Sequence, residues 1–137
     1  MRRNQRGFTL LEIMIVVSII AVLLSLAIYK LKGNLEAAKS VGVQADIQSI
    51  RTQLRVYESF NGFLPTTEQG LQALVTRPST DPQPSRWNQL FDSVPKDPWH
   101  NDYIYLNPGR KNPSGYDLYS AGPDRLPDTA DDDWGGS

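Results

Sequence analysis

The chain has 137 residues, enough for one small domain, and a formal net charge of −1. That balance gives no reason to expect nucleic-acid binding. The chain also has no cysteine, so the disulfides on which many small secreted domains depend are excluded, and a small head needs another staple or a large partner surface.

Arg2, Arg3 and Arg6 precede the most apolar stretch, Phe8 to Ile28. As a helix this stretch is long enough to cross a bilayer core of about 30 Å. The arginines favour a cytoplasmic N-terminus, which places everything after Lys30 outside the cytoplasm. A secretory signal would have a shorter apolar core and a small-residue cleavage site, and "LLSLAIYKLK" closes the run without one. Glu12 is the one charged residue in the run. A carboxylate at membrane depth costs about 2.5–3.5 kcal/mol on insertion scales, so a plain anchor leaves Glu12 unexplained. The bland alternative is that it snorkels to the cytoplasmic face.

The helix continues beyond Tyr29. Val43, Ile47, Ile50, Leu54 and Tyr57 recur at three- and four-residue steps and form one apolar stripe. The pattern predicts a single helix from about Phe8 to about Phe60, apolar all round in its first half and amphipathic in its second. Gly33 and Gly42 weaken it by about 1 kcal/mol each relative to alanine. "NGFLP" at 61–65 ends it. "TTEQGLQALVTRP" at 66–78 predicts a short helix capped by Thr66 or Thr67, with Leu71, Leu74 and Val75 facing inward. Pro82, Pro84, Pro95 and Pro98 make the following segment a long loop. Strands are expected at Tyr103–Leu106 and Tyr116–Ser120, joined as a hairpin. The expected fold is α+β, a long N-terminal helix packed on a small antiparallel sheet.

The tail is acidic: Asp124, Asp128, Asp131, Asp132 and Asp133 lie close together, interleaved with Gly122, Pro123 and Pro127 and followed by Trp134. A solvated acidic run is one reading. A tight loop whose carboxylates and carbonyls hold Ca²⁺ is the other, because that ion takes six to eight hard oxygen ligands. The spacing is not that of an EF-hand.

Nothing points to an enzyme. His100, in "DPWHNDY", has no second histidine or cysteine with which to share a metal, and Ser114 and Ser120 lack a nucleophile elbow. There is no phosphate-binding G-x-x-x-x-G-K-[ST] loop, and Pro113 excludes Asn112 as a glycosylation acceptor. Trp87, Trp99, Tyr103, Tyr105 and Tyr119 are expected to pack.

"RGFTLLEIMIVVSIIAVLLSLAI" resembles the class III signal of type IV pilins and type II secretion pseudopilins. "PTTEQGLQALV", "DPW" and "YDLYSAGPD" narrow the likeness to the major, G-type pseudopilin, so that it spans almost the whole chain. The resemblance implies a leader of residues 1–7, a transmembrane and polymerisation helix over 8–32, and a periplasmic head over 33–137. It implies cleavage between Gly7 and Phe8 by a prepilin peptidase, N-methylation of Phe8, and an assembly role for Glu12. A buried carboxylate and a new N-terminal amine would attract strongly in a low dielectric, and either alone would be stranded. The resemblance further implies a homopolymeric helical fibre in the periplasm, grown from an assembly platform in the bacterial inner membrane and tipped by minor pseudopilins, which helps export folded proteins across the outer membrane. It also implies one Ca²⁺ in the C-terminal loop, held by Asp124, Asp131, Asp132 and the backbone carbonyls of Ala121 and Leu126. Asp133 creates an ambiguity of one position, and Asp128 is expected to be exposed. The chain departs from its relatives at Ala21 and Tyr29, where they often carry a helix-breaking glycine and proline. The alternatives are a type IV pilus subunit or a monomeric inner-membrane anchor bearing a calcium-binding module.

Overall fold

In the computed structural model, which describes residues 8–136, one helix, α1, runs from Leu10 to Asn61. Its ends fall within two residues of those expected from the apolar pattern. The chain divides into two compact units between Ala38 and Lys39, so α1 contributes to both.

In the first unit α1 is long and apolar enough to cross a membrane, and none of its apolar window is buried within the chain. Its two serine hydroxyls are satisfied internally: Ser18 donates to the Met14 carbonyl at 2.7 Å and Ser25 to the Ala21 carbonyl at 2.9 Å. Back-bonding of this kind suits a segment without water.

In the second unit the predicted stripe is the core. Val43, Ile47, Ile50, Leu54 and Tyr57 are buried with Leu71, Ala73, Leu74, Tyr103, Tyr105 and Leu118. The expected capped helix at 66–78 is instead a turn followed by a 3₁₀ helix, Leu71–Leu74. Thr66 does accept the Gln69 N–H at 3.2 Å, but Gly70 then takes φ 57°, ψ −164°, which breaks helical continuity. Leu71 and Leu74 still face inward, and Trp87 fixes the turn by donating its indole N–H to the Ala73 carbonyl at 2.8 Å.

Strands β1 (Ile104–Leu106) and β2 (Asp117–Tyr119) pair antiparallel, with Tyr105 opposite Leu118. The hairpin loop closes over Asp117, whose buried carboxylate accepts the N–H groups of Arg110, Lys111 and Asn112 at 2.6, 2.8 and 3.0 Å. Those three donors satisfy a charge that would otherwise be costly to bury. Tyr103 and Tyr105 tie the sheet to other parts of the head: Tyr103 donates to Asp46 on α1, and Tyr105 to the Pro65 carbonyl, each at 2.8 Å.

Candidate functional site

Two regions carry the residues singled out from the sequence. The first is the start of α1. Gly7 lies outside the described residues, as do Arg2, Arg3 and Arg6. Phe8 is 78% exposed. Thr9 caps the helix, because its hydroxyl accepts the Glu12 N–H at 3.2 Å. Thr9-x-x-Glu12 is therefore the pattern of a capping box with its threonine half formed, a signal legible in "FTLLE" that the sequence reading missed. Glu12 also lies in the first turn, where a negative charge meets the positive end of the helix dipole. The dipole makes the carboxylate less costly there than at mid-helix, while the Thr9 hydroxyl serves only the backbone N–H of Glu12.

The second region is the C-terminal loop. Residues 120 and 133 form an antiparallel bridge, each N–H donating to the other's carbonyl at 2.9 Å, so the tail closes against the end of β2. Trp134 stacks on Tyr119 with ring centroids 4.2 Å apart, and the Lys111 ammonium lies 3.9 Å from the Trp134 ring centre. The Trp134 side chain is half-buried. Its partners come from distant parts of the chain and were not legible.

Inside the closed loop the acidic residues separate by role. Asp133 is occupied: its carboxylate accepts the Ser40 hydroxyl on α1 at 2.6 Å and the Gly135 N–H at 2.9 Å. Asp128 is exposed and pairs with Arg110 at 3.1 Å. Asp124 and Asp131 come together: the Asp131 carboxylate accepts the Asp124 N–H at 3.2 Å and the Thr129 hydroxyl at 2.7 Å. The Thr129 hydrogen bond is the main cause holding the Asp131 carboxyl below its ordinary range. Asp124 accepts the Leu126 N–H at 2.8 Å, which folds the turn at 124–126. Asp132 accepts the Asp128 N–H at 2.9 Å through Oδ2, while its Oδ1 is shielded from solvent and has no hydrogen-bond partner.

These observations bear on whether a hard cation fits. A shielded carboxylate oxygen without a protein donor calls for a partner from outside the chain, a water or a cation. The available donors are all oxygen, as Ca²⁺ prefers. Among the described residues no three His, Asp or Glu side chains converge tightly enough to hold an ion by themselves. Backbone carbonyls must therefore complete any such site, and Ala121 and Leu126 stand in the same loop. The donor set fits the ion on those terms.

The sequence pattern described as "Type II secretion system (T2SS), protein G" matches residues 30–134, and that of the "Prokaryotic N-terminal methylation motif" matches residues 2–28. The chain is 46% identical to type II secretion system core protein G of Dickeya chrysanthemi, covering 96% of this chain and 86% of that protein. It is 45% identical to the protein of the same description from Escherichia coli K12, covering 96% and 92%. Its fold matches the crystal structure of the major pseudopilin from the type 2 secretion system of enterohaemorrhagic Escherichia coli, with a TM-score of 0.68 and 40% identity over 74% of this chain and 85% of that one.

Proposed function

Because this chain belongs to the protein G family of the type II secretion system, the major pseudopilins, we propose that it is trimmed, anchored and polymerised through the first part of α1. A prepilin peptidase cuts between Gly7 and Phe8 on the cytoplasmic side of the inner membrane, and the amine of Phe8 is methylated. The head then stands in the periplasm. Copies stack through residues 8–32 into a helical pseudopilus that grows from the inner-membrane assembly platform, carries minor pseudopilins at its tip and helps move folded proteins across the outer membrane.

One observation carries this reading: the apolar part of α1 is wholly unburied within its own chain, while the head already has a complete core. Apolar surface on that scale demands a partner. At about 25 cal/mol per Å², lipid supplies the burial before assembly and neighbouring copies supply it afterwards. Extraction from the bilayer is offset by packing on other shafts. Glu12 sets the register, since its carboxylate and the Phe8 amine of a neighbour are each costly to bury unpaired.

In the loop, Asp124, Asp131 and Asp132 with the carbonyls of Ala121 and Leu126 would hold one Ca²⁺. The ion would supply the positive charge that keeps these carboxylates together in a head without disulfides.

The test is the intact mass of the protein isolated from membranes. Loss of residues 1–7 with one methyl group on the new amine is expected, and an untrimmed chain would overturn the reading. The calcium part has its own measurement. With Ca²⁺ at about 100 times its dissociation constant, binding contributes about 2.7 kcal/mol, so chelation should lower the thermal midpoint of the head by about 10 °C or more. An unchanged midpoint in chelator would remove the metal from the proposal.

A further inference from the structure

We propose that Asp97 and Ser120 are positioning residues for the cation loop, setting the direction of the Ala121 carbonyl and the seat of Asp131 without touching an ion. The inference rests on the calcium reading given above.

Asp97 is 2% exposed and Ser120 is fully buried. A carboxylate buried to that degree requires donors, and Asp97 has four. Its Oδ1 accepts the N–H groups of Trp99 and Asn101 at 3.0 and 2.7 Å. Its Oδ2 accepts the Ser120 hydroxyl at 2.5 Å and the Asn101 side-chain amide at 3.4 Å.

Two of those donors reach onward to the same residue. The Ser120 hydroxyl spends its single proton on Asp97, which leaves its lone pairs to accept, and it takes the Gly122 N–H at 3.1 Å. The Asn101 amide also donates to the Gly122 carbonyl at 3.2 Å. Both polar backbone atoms of Gly122 are thus held by side chains that Asp97 orients.

Gly122 matters to the loop in two ways. Its N–H and the Ala121 carbonyl belong to one planar trans peptide and point in opposite directions. Fixing the N–H on Ser120 therefore fixes the line of the Ala121 carbonyl, one of the proposed ligands. Gly122 also has φ 65°, and a Cβ at that position would lie 2.5 Å from the Asp131 carbonyl oxygen and 2.9 Å from Asp131 Oδ2. The bare backbone of Gly122 is the wall on which Asp131 is seated. Ser120 holds the far side too, through its paired hydrogen bonds to the Asp133 backbone. One buried carboxylate in "DPW" thereby aims the near end of a loop more than twenty residues away.

Partners that orient metal ligands from outside the coordination sphere change affinity by about 10–100-fold when removed. Calorimetric titration of CaCl₂ into the full chain in detergent should give saturable binding. Ser120→Ala and Asp97→Asn should each weaken the dissociation constant by about tenfold or more. Ser120→Ala is the smaller change and decides the matter if Asp97→Asn does not fold, as judged by circular dichroism. Trp87→Phe provides the control: it loses the bond to the Ala73 carbonyl, and it should lower the calcium-free thermal midpoint without moving the dissociation constant. If the unaltered chain binds calcium and Ser120→Ala binds it equally well, the positioning role is wrong and the calcium site stands. If the unaltered chain binds none, the calcium site itself is wrong and this inference falls with it.

Discussion

Between Leu10 and Ala38, α1 exposes Ile13, Val16, Ile20, Leu23 and Leu24 to about half their area or more, whereas between Val43 and Tyr57 the same helix buries five side chains almost completely. Both stretches are helical and both carry large apolar residues. The difference lies in how those residues are spaced. In the head they recur on one stripe, and the chain supplies the cover with Leu71, Leu74, Tyr103, Tyr105 and Leu118. In the shaft they surround the axis, and nothing in a chain of this size could cover them. Folding stabilises the head through its own side chains. The shaft has no such cover within its own chain and, on the function proposed above, is stabilised first by lipid and then by other copies.

The largest effect that could break this comparison is Glu12→Ala. Stranding the partner of a buried charge costs about 3–5 kcal/mol, more than about a hundredfold in association, so pseudopili seen by electron microscopy should disappear. The protein should remain in the membrane, and its head should melt as before. Normal fibres from this variant would reduce Glu12 to a first-turn acid that only complements the helix dipole.

Leu54→Ala sharpens the contrast from the other side. It opens a cavity in the head core and should cost about 2–5 kcal/mol in urea unfolding. Leu23→Ala, in the shaft, should leave that unfolding curve unmoved.

Alkaline pH should also separate the regions. Burial, reinforced by the hydrogen bond to Asp46, raises the Tyr103 phenol well above its usual value near 10, and burial likewise raises Tyr105. A raised folded pKa means that stability is fully present below the unfolded value and declines as pH climbs past it. The head should therefore lose stability above about pH 10, with tyrosinate absorbance appearing together with unfolding. Tyrosinate forming in a head still folded would contradict this.

The smallest expected change is Arg110→Ala. Its ion pair with Asp128 is solvent-exposed and contributes no more than about 1 kcal/mol. The melting curve and calcium affinity should barely move, which would confirm that Asp128 stands outside the loop's working set.

By itself the sequence determined what depends on local pattern. The unbroken run from Phe8 predicts the shaft, the stripe from Val43 to Tyr57 predicts the core face, and the hairpin follows from two short alternating runs around a turn. Periodicity reports which way neighbouring side chains point, so these features needed no tertiary knowledge. The tertiary structure decided the rest. Gly70 turned an expected capped helix into a 3₁₀ turn. Asp133 was separated from Asp131 and Asp132 because Ser40, distant in sequence, reaches its carboxylate. Asp97 became the support of a loop it does not belong to. Adjacent aspartates look alike in a sequence, and their roles diverge only when folding gives each a different set of donors.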